Sequence, residues 1–87
     1  MKVIAIYDVG SKKDQKVLRI FRKYLFHVQK SVFDGELTPA VYKKLKEELQ
    51  GIKYENDESI VIYTVLNHSS IRKENIAGIK SEQLILG

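Results

Sequence analysis

An α+β domain, with one sheet covered on a single face by two helices, is predicted by three observations. Residues 2–7 and 59–66 are dense in β-branched and aromatic side chains and apolar on both faces, as central strands are. Residues 12–25 and 38–51 instead repeat apolar side chains at helical spacing. Strand and helix segments alternate along the chain, and 87 residues suit one domain, 1–87, with a modest core.

In the first strand Val3, Ala5 and Tyr7 share one face, and Ile4, Ile6 and Asp8 the other. Ser11 followed by Asp14 resembles a capping box with Asp in place of Glu; Val17, Leu18, Phe21, Tyr24 and Leu25 then form the apolar stripe of a helix over 12–25. Residues 26–37 have strand character but are long for one strand, and a bend near Lys30 divides them into a short strand and a longer one. Thr38-Pro39 supplies the cap and first position of the second helix, whose buried stripe is Val41, Tyr42, Leu45, Leu49 and Ile52, with Gly51 at its end. Residues 53–58 read as a polar loop, and 59–66 as the strongest strand, placed beside the first. Residues 67–82 are polar with scattered apolar side chains, and 83–86 could form a last short strand with no evident place in a monomer.

The order βαββαβ, with right-handed crossovers, gives a four-stranded antiparallel sheet with both helices on one face, a ferredoxin-like fold with an extra C-terminal strand. The first and last central strands are apolar on both faces, so the uncovered face expects a partner. A face-to-face homodimer satisfies it.

Lys+Arg number 15 against 11 Asp+Glu, a net charge of +4, and residues 11–30 hold seven of the cations with Asp14 as their single acid. Such a basic segment suits a phosphate-bearing partner, although a solvated lysine surface has the same composition. The chain has no cysteine, which rules out disulfides, thiolate metal sites and a cysteine nucleophile, and fits a reducing cytoplasm. No apolar run approaches the roughly 18 residues of a membrane span, and no secretory leader pattern opens the chain. A cytoplasmic protein without membrane association is the expectation.

Asp8 is the awkward residue, since an ionised carboxylate at the end of a buried strand needs either solvent or a cation. Either it simply ends the strand, or the Ile4/Ile6/Asp8 face lies at a two-fold interface where two Asp8 carboxylates share a hard cation or repel each other. Tyr7, on the opposite face, reads as core. Lys12, Lys13 and Lys16, with Arg19, Arg22, Lys23 and Lys30, could track a nucleic-acid backbone near the start of the first helix, or form the wet side of an amphipathic helix. The five glycines match neither a P-loop nor a dinucleotide fingerprint. His27 and His68 have no helical metal-pair spacing and read as surface or satisfied polar residues, and Ser31 lacks the glycines of a nucleophile elbow.

Tyr7-Asp8 at a strand end, the basic helix after it and Gln29-Lys30-Ser31-Val32-Phe33-Asp34-Gly35-Glu36-Leu37 together resemble the CRISPR-associated endonuclease family called Cas-two, over residues 1–66. The resemblance implies a homodimer in which residues 80–87 add a strand to the neighbour's sheet. It also implies that Asp8 of each chain holds Mg2+ for phosphodiester hydrolysis, with Ser31 and Phe33 shaping the site beside Tyr7. The implied partners are duplex DNA, a Cas-one integrase that the dimer bridges during spacer acquisition, and single-stranded RNA as a further substrate. The sequence departs from the family's habit in two places: lysines at 12, 13 and 16 stand where arginines are common, and Leu25-Phe26-His27 replaces a glycine-containing exit from the first helix. A toxin-like metal-dependent ribonuclease unrelated to adaptation is the competing function, because the fold hosts many activities.

Overall fold

The chain runs β1 (Lys2–Asp8), α1 (Ser11–Tyr24), β2 (Phe26–Gln29), β3 (Val32–Glu36), α2 (Pro39–Gln50), β4 (Ser59–Asn67) and β5 (Ser70–Ala77). These elements belong to a computed structural model that describes residues 1–67 and 70–78. The strands form one sheet in the order β2-β3-β1-β4-β5, with every neighbouring pair antiparallel. The first four strands reproduce the predicted ferredoxin-like order, with β1 at the centre.

Alternation along the strands sets the two faces. Val3, Ala5 and Tyr7 of β1 are buried together with Phe33, Ile60 and Ile62, in one core with Val17, Ile20 and Phe21 of α1 and Leu45 and Leu49 of α2. Both helices therefore cover the same face. On the other side, which no described helix covers, Ile4 and Ile6 of β1 pair in register with Tyr63 and Val61 of β4, and Val65 with Ile71 of β5, so an aliphatic strip crosses the middle of the sheet, flanked by Asp34 and Glu36 of β3 and Lys73 of β5.

The helix ends follow local chemistry. In α2 the Thr38 hydroxyl accepts from the Val41 N–H at 3.2 Å, and Pro39 opens the first turn, as expected. In α1 the predicted capping box at Ser11 and Asp14 does not form, because Gly10 is the N-cap and Ser11 already lies inside the helix. The Gly10 carbonyl accepts from Lys13 N–H and Asp14 N–H, both at 3.0 Å. At the other end Leu25 is extended (φ −131°, ψ 171°) and its N–H donates to the Phe21 carbonyl at 2.8 Å. A chain leaving a helix in this conformation needs no left-handed residue, which accounts for leucine at a position where glycine is common.

Lys30 divides β2 from β3, as the sequence suggests, by adopting a left-handed φ of 39° in a two-residue turn. Within residues 67–82, polar with scattered apolar side chains, the structure adds an element the sequence pattern does not predict: Ser70–Ala77 is an edge strand on β4. A register shift between Ile60 and Val61 breaks its alternation, and charged side chains suit an edge. Glu74 points to the helix face, where the Tyr42 hydroxyl and Lys46 donate to it. The expected strand at 83–86, and His68, lie outside the described residues.

Candidate nucleic-acid and metal site

The end of β1 brings together four residues singled out in the sequence. Tyr7 donates its N–H to the Ser31 carbonyl at 3.1 Å, which sets the β2–β3 turn, Lys30 included, beside Asp8. The Tyr7 ring stacks on Phe33 (6.2 Å between centroids) and on Phe21 (5.7 Å), so Tyr7 and Phe33 are core residues under the site. Burial first, and then the Asp14 carboxylate, pushes the Tyr7 hydroxyl above its ordinary range. His27 stacks on the far side of Phe33 at 4.5 Å and hydrogen-bonds the Lys30 carbonyl through Nε2, as a satisfied polar residue.

Asp8 emerges on the uncovered face, exposed and paired in register with Ser59 of β4. Its carboxylate enters no ion pair among the described residues. No group of three or more His, Cys, Asp or Glu residues that could hold a metal occurs among the described residues. Among the described residues one chain thus offers Asp8 without a set of three such ligands, an arrangement that suits magnesium only with waters and phosphates, or with a second carboxylate from another copy.

Six of the seven cations of residues 11–30 lie on α1. Lys12, Lys16 and Arg19 recur at helical spacing on the exposed side of α1. Lys16 and Arg19, with Lys23, Ile20, Ile52, Gly51 and Glu48, line an open groove of about 370 Å³ between α1 and α2. That groove is on the helix side of the sheet, opposite the face from which Asp8 projects. Glu48 closes its rim, accepting from both Lys23 and the Tyr24 hydroxyl. Lys30 is exposed on the β2–β3 turn.

Lys13 has a different environment. Its ammonium lies 2.8 Å from Glu58 Oε1 and 3.9 Å from a Glu55 oxygen. Glu58 is only 5% exposed, and its carboxylate also accepts the N–H of Gly10 and of Glu55, each at 2.7 Å. The Lys13 ammonium, followed by the Glu55 and Gly10 amides, lowers its pKa to about 2. Sequence reading placed Glu58 in a featureless loop; its partners Gly10 and Lys13 stand 48 and 45 residues away, beyond any local pattern.

The family model described as CRISPR associated protein Cas2 matches residues 1–73. The chain is 40% identical over 82 residues to a CRISPR-associated endoribonuclease Cas2 of Thermotoga maritima, covering 94% of each protein. A protein of the same description from Dictyoglomus turgidum is 38% identical over 88 residues, covering 98% of this chain and 100% of the relative. A solved structure described as the crystal structure of cas2 superposes with a TM-score of 0.69 at 35% identity, covering 85% of this chain and 90% of that one. With its ferredoxin-like sheet and with relatives matched over nearly their full length, the chain belongs to the CRISPR-associated Cas2 family.

Proposed function

We propose that this chain acts as a face-to-face homodimer in CRISPR adaptation, holding duplex DNA and bridging Cas-one integrase dimers, with magnesium-dependent phosphodiester hydrolysis at Asp8. The observation that carries the reading is a sheet face that no described helix covers, crossed by an aliphatic strip of β1 and β4 and ending in an exposed carboxylate without an ion pair among the described residues. Pairing two such faces buries Ile4, Ile6, Val61 and Val65 and brings two Asp8 residues to one symmetry axis.

Two carboxylates with waters and a substrate phosphate form a fitting oxygen set for Mg2+, which when bound neutralises the scissile phosphate and activates water. Asp8 would orient that centre, and the Ser31 carbonyl and Phe33 ring fix the strand that carries it. Lys12 and Lys16 supply point charges and Arg19 a guanidinium fork for a phosphate backbone on the helix side, Lys30 adds a charge on the turn, and Lys13 supports the turn as an ion-pair partner. Relatives described as endoribonucleases favour RNA as the substrate of cleavage.

The test is Asp8→Ala in the purified protein, assayed for Mg2+-dependent cleavage of RNA and DNA and for retention of duplex DNA with the integrase. Cleavage lost with DNA and integrase retention intact is the expected result. A wild-type protein that retains no nucleic acid, or that sediments as a monomer at working concentration, would end this reading.

A further inference from the structure

We propose that Glu58 is a positioning residue for Asp8, clamping the β1–α1 turn from the far side of the sheet so that the Asp8 carboxylate keeps a fixed direction. The inference rests on the reading of Asp8 as a metal ligand and adds to it a residue that touches neither metal nor substrate.

The geometry is specific. Asp8 pairs in register with Ser59, the residue directly after Glu58, so Glu58 stands in the loop one position before the residue opposite Asp8. Ladder pairing holds Asp8 itself. Two residues on, Gly10 donates its N–H to Glu58 Oε2 at 2.7 Å, leaving Val9 alone between two fixed points. Oε1 is occupied by Lys13 Nζ at 2.8 Å, in the first turn of α1, and by the Glu55 N–H at 2.7 Å. Gly10 has no side chain with which to cap α1, and Glu58 supplies from another segment the negative charge that a helix N-terminus favours. One buried carboxylate therefore ties together the end of β1, the start of α1 and the loop leading into β4.

Only an ionised carboxylate fits these donors. Three N–H groups from three segments point at its two oxygens, and an amide in its place would turn an NH2 group toward at least one of them. The space is equally restrictive: a Cβ added at Gly10 would sit 3.1 Å from Glu58 Oε2, so even alanine would displace the turn or the carboxylate by a few tenths of an ångström. The φ of Gly10 is −67°, which alanine tolerates, so that substitution strains this contact and not the backbone.

Groups hydrogen-bonded directly to a metal ligand typically alter metal affinity or activity by about 10- to 100-fold when changed, and Glu58 acts one step further out, through Gly10. Glu58→Gln is therefore expected to raise the Mg2+ concentration for half-maximal cleavage by up to about 10-fold, while KM for the nucleic acid and its retention change less than about 3-fold. Hydrogen exchange read by NMR supplies a metal-free measure: protection of the Gly10 amide falls in the variant while ladder amides of Val3 and Ala5 keep theirs. If Glu58→Gln does not fold, Gly10→Ala provides the milder perturbation, with smaller shifts of the same sign. An unchanged Mg2+ midpoint in a folded variant, or a Gly10 amide as protected as in the wild type, overturns the proposal. Asp8→Ala run in parallel separates the two ideas: Mg2+-dependent cleavage surviving there removes Asp8 as the ligand, whereas Gly10 protection still reports whether Glu58 holds the turn.

Discussion

On the helix side of the sheet Val3, Ala5, Phe33, Ile60 and Ile62 are wholly enclosed, whereas on the opposite side Ile6 keeps 43% of its surface and Ile71 keeps 71%. The same strands, with the same two-residue period, build both faces, so the contrast lies in what covers them. The helix side is completed within one chain by α1 and α2. The other side carries aliphatic residues that neither helix covers, and it is also the side on which Asp8 projects. The two faces of the same strands thus differ in burial, and substitutions on them should differ in kind.

The largest difference should appear between Phe33→Ala and Ile6→Ala. Phe33 is fully buried and packs against Tyr7, Phe21 and His27, so its loss is expected to cost about 3–5 kcal/mol at any protein concentration. That is a large part of the roughly 5–15 kcal/mol a domain of this kind has available. Ile6→Ala should cost far less in dilute protein and more as concentration rises, because an interface contributes by mass action. Urea unfolding at two concentrations decides it: equal, concentration-independent costs would mean that the uncovered face is no interface.

An intermediate effect should come from Glu58 in acid. Its folded pKa, about 2, lies below the usual 4.5, so its contribution is complete above about pH 4.5 and is lost as pH falls toward 2. Glu48, lowered chiefly by Lys23 and then by the Tyr24 hydroxyl, adds to the same acid limb. The melting temperatures of wild type and Glu58→Gln should therefore differ at neutral pH and converge as pH approaches 2. A gap that stays constant over that range would show that the charge of Glu58 is not what holds the turn.

How much of this was legible in the sequence depended on range. Both helices, the split at Lys30 and the central place of β1 follow from periodicity and caps that lie within a few residues of each other. β5 escaped because its alternation is interrupted by a register shift, and because Glu74 faces the helices as a charge satisfied by Tyr42 and Lys46 of α2. In the site, Tyr7, Asp8, Ser31 and Phe33 were picked out by a motif and do come together, yet Glu58 carries no local signal. The same holds for Lys13, whose role as an ion-pair partner depends on an acid from the loop before β4. The basic run on α1 was equally visible, but only the fold shows that Lys16 and Arg19 lie on the side of the sheet away from Asp8.

The smallest effect is expected on the uncovered face itself. Lys2 and Asp34 approach to 3.5 Å there, with side chains 44% and 36% exposed. A pair so open to water gains little, because solvent screens the attraction and two side chains must be held in one geometry; Lys2→Ala should cost about 0–1 kcal/mol in dilute protein. If two copies close over this face the pair loses its water, and removing one partner then leaves a carboxylate desolvated without its cation. The variant should therefore unfold like the wild type when dilute, but its dimer should dissociate at lower concentration in analytical ultracentrifugation. Identical dissociation curves would place Lys2 and Asp34 outside the contact and confine the interface to the Ile6 end of β1, nearer Asp8.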